Sequence, residues 1–153
     1  MNRPHNVQVL FRAASFIQVA VDPAGGTMFI DGQPINSAVT YSWKEGSNHS
    51  LQVLPEYTTA PGTRQAFVRW SDGSTSPART VLAGSAVQYA ATWKTQHYVD
   101  IKSGAGTISP ASGWYDAGQT VQIKANPLTL GDTRYVFTSW TGSGPGSYSG
   151  QEN

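Results

Sequence analysis

Apolar and polar residues alternate with period two along most of this chain. In the window 5–22, Val7, Val9, Phe11 and Ala13 share one face of an extended segment, with Gln8, Leu10 and Arg12 on the other. In the window 85–103, Val87, Tyr89, Ala91 and Trp93 oppose Gln88, Thr92 and Lys94. A third case sets Val121, Ile123 and Ala125 against Gln122 and Lys124. Alternation of this kind predicts half-buried strands, since successive side chains of a strand point to opposite faces. Turn signals separate the runs: Asp31-Gly32, Asp72-Gly73, Ala83-Gly84 and the Gly-rich 142–146. Asp31-Gly32 between Met28-Phe29-Ile30 and Gln33-Pro34-Ile35 predicts a two-residue hairpin. Short strands at this spacing predict an all-β fold.

The pattern repeats. At an offset of 80, Val7-Gln8 matches Val87-Gln88, Val19 and Val21 match Val99 and Ile101, and Gly26-Thr27 matches Gly106-Thr107. At an offset of 72, Trp43, Gly46, Leu51 and Pro55 match Tyr115, Gly118, Ile123 and Pro127. At an offset of 70, Arg64, Phe67, Trp70 and Ser71 match Arg134, Phe137, Trp140 and Thr141. The falling offset places loop insertions in the first copy, which cost little because closure entropy grows slowly with loop length. Matches in consistent order predict two diverged copies of one β-module, a sandwich or β-grasp-like sheet. The first spans 1–84 and carries an extra N-terminal strand. The second spans 85–153, with the strand 87–94 shared between them.

The run Gly106-Thr107-Ile108-Ser109-Pro110, Gly113-Trp114-Tyr115-Asp116-Ala117-Gly118, Val121-Gln122-Ile123 and Phe137-Thr138-Ser139-Trp140-Thr141-Gly142 resembles the divergent internalin B-repeat-like modules. Phe67-Val68-Arg69-Trp70-Ser71-Asp72-Gly73 looks like the companion module that often precedes such a copy. The resemblance covers about 16–150. It implies a mostly non-catalytic, tandem, β-rich region of a multidomain bacterial or archaeal protein, extracellular or at the cell surface. No hydrophobic signal region stands at Met1-Asn2-Arg3-Pro4-His5.

The phase of the repeat raises a further expectation. Val7 to Ala14 aligns with Val87 to Lys94, a strand that has no counterpart in the second copy. Three readings follow: a piece of a longer tandem protein, donor-strand assembly, or a second copy ordered without that strand. In donor-strand assembly, Val7, Val9, Phe11 and Ala13 of one copy complete the next, giving a filament of identical subunits. The expected partners are therefore other β-modules of a parent protein or copies of the chain itself.

Composition narrows the chemistry. With 10 basic and 9 acidic side chains, 12% charged residues and a net +1, the chain has no basic footprint for nucleic acid. No run of apolar residues is long enough to span a membrane. The chain has no Cys, which excludes a disulfide scaffold, a thiolate metal site and a Cys nucleophile. His5, His49 and His97 do not have metal-ligand spacing, and no Asp-rich calcium loop occurs. The Asp-Gly pairs read as turn chemistry, and Gly142–Gly150 lacks the Lys-Ser/Thr of a phosphate loop. No nucleophile elbow sits in a strand-turn-helix context, and the three Glu residues leave few paired carboxylates. The chain reads as non-enzymatic, without cofactor or metal.

Five Trp and seven Tyr leave a carbohydrate-binding reading open. Trp114, Tyr115, Trp43 and Tyr148 are the candidate sugar platforms. Phe67, Trp70, Phe137 and Trp140 hold equivalent positions in both copies and are expected to anchor the two cores, since a large aromatic buries the most area in a small module.

Overall fold

The computed structural model describes residues 9–10, 12–22, 26–84 and 88–152. The protein is all-β, and no helix occurs among the described residues. Its strands are β1 (Ala14–Asp22), β2 (Met28–Ile30), β3 (Gln33–Ile35), β4 (Val39–Lys44), β5 (Asn48–Val53), β6 (Glu56–Ala60) and β7 (Thr63–Trp70). They continue as β8 (Ala78–Leu82), β9 (Gln88–Val99), β10 (Thr107–Ser109), β11 (Gly113–Asp116), β12 (Lys124–Asn126), β13 (Leu128–Leu130) and β14 (Thr133–Tyr135).

The chain divides into two compact units. Unit 1 is Met1–Thr59 with Gln65–Lys94, and unit 2 is Ala60–Arg64 with Thr95–Asn153. The division falls inside β9, further along than the Ala83-Gly84 turn expected from the repeat. The physical reason is pairing and burial: β9 runs parallel to β1 from Gln18↔Gln88 to Asp22↔Thr92, and Tyr89, Ala91 and Trp93 enter the core of unit 1.

In unit 1, two sheets close on one core. One has the strand order β4-β1-β9-β7-β6 and the other β3-β2-β5-β8. Ile17, Val19, Trp43, Trp70, Tyr89, Ala91 and Trp93 from the first meet Met28, Ile30, Leu51, Val53 and Val81 from the second. Their neighbours in sequence point to water, as period two requires: Phe16, Gln18, Gln52, Thr80, Gln88, Thr92 and Lys94 are all exposed. Phe67 is partly buried and packs edge-on against Trp70 and Trp93 at 5.8 and 6.0 Å. Trp70 is fully buried, and its Nε1–H donates to the Ser76 carbonyl at 2.7 Å, so the one polar atom of the largest core side chain is satisfied.

The Asp31-Gly32 turn joins β2 to β3 with the register Met28↔Ile35. Both turn residues have positive φ (49° and 79°), the conformation whose twist suits a two-residue hairpin. Gly carries it without penalty, and Asp is among the few other residues that tolerate it.

In unit 2, the second half of β9 pairs antiparallel with β11, β10 with β12, and β13 with β14. The repeat reappears here as register. Shifting Met28↔Val53 of β2 and β5 by the sequence offsets of 80 and 72 gives Ile108↔Ala125, a pair found in β10 and β12. Phe29↔Gln52 likewise becomes Ser109↔Lys124. The β1–β4 counterpart slips by two residues, since Ser15↔Trp43 would become Thr95↔Tyr115 but His97↔Tyr115 forms instead. An even slip keeps every side chain on its own face. Of the alternating run 121–125, only the end enters β12.

Every fully buried hydrophobic residue among those described lies in unit 1. Phe137 and Trp140 of unit 2 are only partly buried, with ring centroids 5.3 Å apart. Trp140 and Gly150 exchange reciprocal backbone bonds of 2.7 and 3.2 Å, which close the Gly-rich segment into a loop.

Candidate functional site

The candidate sugar platforms separate in the structure. Trp43 is 6% exposed and lies against Tyr41 on one side (5.5 Å, 28°) and His49 on the other (3.9 Å, 6°). It has no open face for a sugar ring, so it is a core residue and not a platform. Tyr148 is exposed in the loop closed by Trp140 and Gly150. The Tyr115 hydroxyl donates to the Ala111 carbonyl at 2.9 Å, which fixes its ring locally. Trp114 is the candidate with a constellation around it.

That constellation follows from strand register in unit 2. Trp114 pairs with Tyr98, and Asp116 with Gln96. Alternation puts these four side chains on one face of β9 and β11. Arg64, from the tip of the β6–β7 hairpin, reaches the same face, where its guanidinium carbon stands 4.5 Å from the Trp114 ring centre. Its Nε–H donates to Gln96 Oε1 at 2.9 Å, and Gln96 Nε2–H donates to Asp116 Oδ1 at 2.8 Å. Tyr98 meets Trp114 edge-on at 5.3 Å and is 47% exposed. The backbone supports this arrangement: Tyr98 N–H donates to the Gly62 carbonyl at 2.9 Å and Ala117 N–H to the Thr95 carbonyl at 2.9 Å. The result is a half-exposed aromatic pair flanked by a polar chain of one cation, one amide and one carboxylate.

A second cluster sits in unit 1, at the Asp31-Gly32 hairpin. His49 Nδ1 is 2.7 Å from Asp31 Oδ2, and His49 Nε2 is 2.8 Å from Ser47 Oγ. Asp31 Oδ1 accepts the Ser50 N–H at 2.8 Å. Burial acts to raise the Asp31 pKa, but the bonds from His49 and Ser50 outweigh it and hold the carboxyl below its ordinary 3.8.

The connectivity Ser47–His49–Asp31 is that of an acyl-transfer triad, but its polarity is not. The Ser47 hydroxyl donates to the Lys44 carbonyl at 2.5 Å, and that oxygen can only accept. The Ser47 proton is thus directed at the Lys44 carbonyl and not at His49 Nε2, whereas a general base must take the serine proton. This geometry ties the hairpin to β5.

Sequence spacing missed both clusters. The links Asp31–His49, Arg64–Gln96 and Gln96–Asp116 join residues far apart in sequence, brought together only by strand pairing. The one advance signal was the hairpin itself, which fixes where Asp31 must sit.

The other candidates fall as follows. Val7 and Phe11 of the expected assembly strand lie outside the described residues. Val9 is 68% exposed, Ala13 is exposed, and neither belongs to a strand, since β1 begins at Ala14. A groove in unit 2 is bordered by Lys102, Asn126, Phe137 and Trp140, and the Trp140 Nε1 is buried there with no hydrogen-bond partner. Among the described residues no three His, Asp or Glu side chains converge to hold a metal ion, and no helix is long and apolar enough to cross a membrane. Compared with known proteins, the chain matches no family model, no curated protein and no solved structure.

Proposed function

We propose that this chain is a non-catalytic structural and adhesive repeat region of an extracellular or cell-surface protein. The observation that carries the reading is the recurrence of one strand ladder in register, Met28↔Val53 as Ile108↔Ala125, within one all-β chain. Tandem copies of a small β-module extend a protein and present sheet faces for contact, a role that needs no reacting group. The resemblance of 106–142 to the internalin B-repeat-like modules supports the same reading. So does the polarity of the Ser47–His49–Asp31 chain, the arrangement nearest to a catalytic one, which works as a tether.

Antibodies raised against the folded chain test the location. Labelling of intact source cells before permeabilisation is the expected result. Labelling only after permeabilisation overturns the extracellular reading.

A further inference from the structure

We propose that the face formed by Arg64, Gln96, Tyr98, Trp114 and Asp116 in unit 2 binds a neutral polysaccharide. The proposal deepens the adhesive reading, on which it rests, by naming the ligand class and the residues in contact.

The argument begins with charge. Among these five residues Arg64 and Asp116 carry charge, and Gln96 bridges them through bonds of 2.9 and 2.8 Å. The charges of this linked pair cancel. An anionic chain would meet the Asp116 carboxylate and a cationic one the Arg64 guanidinium, so the complementary ligand is uncharged.

Shape comes next. Tyr98 leaves nearly half of its surface in water beside Trp114. Aromatic faces of this kind stack against the C–H face of a pyranose, and Tyr and Trp do so with little loss of side-chain freedom. The guanidinium over Trp114 holds that indole in place before any ligand arrives. Two residues along each strand and three chain segments across, the patch measures about 7 by 10 Å, room for about two sugar rings.

Hydrogen bonding completes the match. Beyond the bonds that join the ladder, the Gln96 amide keeps a second N–H and a second lone pair on Oε1. Such a planar group suits the paired hydroxyls of a sugar. The bonds of the ladder fix it in advance, so little ordering entropy opposes binding. An apolar protein partner fits less well, since the face carries no aliphatic side chain.

The test uses the full chain with cellohexaose, xylohexaose and chitohexaose as neutral probes and polygalacturonate as the anionic one. Binding is read from tryptophan fluorescence and from backbone amide shifts. The expected result is saturable binding of at least one neutral hexasaccharide, with shifts centred on 95–99 and 113–116. Tyr98→Ala leaves the Arg64–Gln96–Asp116 chain in place, and it is expected to weaken binding at least tenfold with the melting temperature unchanged. Tyr135→Ala, which removes an exposed tyrosine elsewhere in unit 2, is expected to bind as the parent does.

No binding of any neutral probe overturns the proposal, as does preference for polygalacturonate. Full affinity in Tyr98→Ala also overturns it, leaving the ladder a purely structural device. Should Tyr98→Ala fail to fold, Tyr98→Phe serves: it keeps the ring, and binding within about threefold of the parent is expected. A tenfold loss there would place recognition in the phenol hydroxyl and overturn stacking. Cell labelling reads location and saccharide titration reads contact, so failure of either is distinguishable from failure of the other.

Discussion

In unit 1 the indole of Trp70 is fully buried and its N–H is bonded to the Ser76 carbonyl; in unit 2 the equivalent Trp140 is partly buried and its N–H has no acceptor. The two tryptophans hold matching positions, each three residues after a Phe. What differs is the cover. In unit 1, β5 lies between β2 and β8, and a second sheet closes the core with Tyr89, Ala91 and Trp93. In unit 2, β12 forms a two-stranded sheet with β10, and smaller residues replace the core positions: Ala125 stands for Val53 and Tyr115 for Trp43. Register is set by local pairing and turn geometry. Closure requires a second layer to remove apolar area from water, and a short repeat supplies it only when enough strands join.

The largest expected effect separates the two units directly. Trp70→Ala is expected to destabilise unit 1 by roughly 3–5 kcal/mol, the cost of a large cavity in a closed core. Trp140→Ala is expected to cost roughly 1–2 kcal/mol, since a partly exposed ring leaves less of a cavity and less lost burial. Thermal unfolding of both variants, followed by near-ultraviolet circular dichroism, reads the difference. Equal losses would break the comparison and assign unit 2 a closed core of its own.

Next in size is His49→Ala. It removes the stack on Trp43 together with the bond to the Asp31 carboxylate, so a loss of about 2 kcal/mol is expected, confined to unit 1. Amide exchange should show β2, β3 and β5 opening more readily while β10 and β12 keep their rates. A change spread evenly over both units would contradict a local tether.

Unit 2 has its own sensitive point. Gly106 holds φ at +76°, and an added Cβ would collide with the Asn126 backbone carbonyl. Gly106→Ala is therefore expected to cost more than about 1 kcal/mol and to loosen the β10–β12 pair. Amide exchange in 107–109 and 124–126 should accelerate, with unit 1 unaffected.

Much of this was legible in advance, and the limits are instructive. Period two located the inward face of β9, where Tyr89, Ala91 and Trp93 are buried while Gln88, Thr92 and Lys94 are exposed, because alternation is a property of one strand alone. The Asp31-Gly32 hairpin was legible for the same reason, its signal lying within three residues on either side. The Arg64–Gln96–Asp116 ladder was not, because its members come from three segments and meet only through tertiary pairing. Trp43 looked like a platform because an aromatic before a Gly turn has no sequence mark for burial; its cover came from Tyr41 and from His49 across the turn. The compact units divide inside β9 and not at Ala83-Gly84, since a turn marks a chain reversal and not the end of a core.

Acid sharpens the contrast in a smaller way. The Arg79 bond lowers the Asp72 pKa most, against a raising effect of burial, and Asp31 is lowered by its bonds to His49 and Ser50. Both carboxyls are depressed, so the stability they contribute is present above their ordinary value of 3.8 and lost as pH falls through the lower folded values. Unit 1 is therefore expected to lose stability as pH drops below about 4. Asp31→Asn, which keeps a residue tolerant of positive φ, should reduce that acid dependence. An unchanged pH profile in Asp31→Asn would remove the carboxylate from the tether.

The smallest effect is the sharpest test of cover. Replacing each tryptophan by phenylalanine deletes the N–H and keeps most of the ring. In Trp70→Phe the Ser76 carbonyl loses its donor and a cavity opens in a closed core, so a loss of roughly 1–3 kcal/mol is expected. In Trp140→Phe a buried donor without an acceptor disappears, and its desolvation cost disappears with it. That gain offsets the lost ring area, and a change within about 0.5 kcal/mol is expected. A loss at Trp140 as large as at Trp70 would mean that the indole N–H of unit 2 has found an acceptor in solution. The contrast in cover would then not extend to the indole N–H.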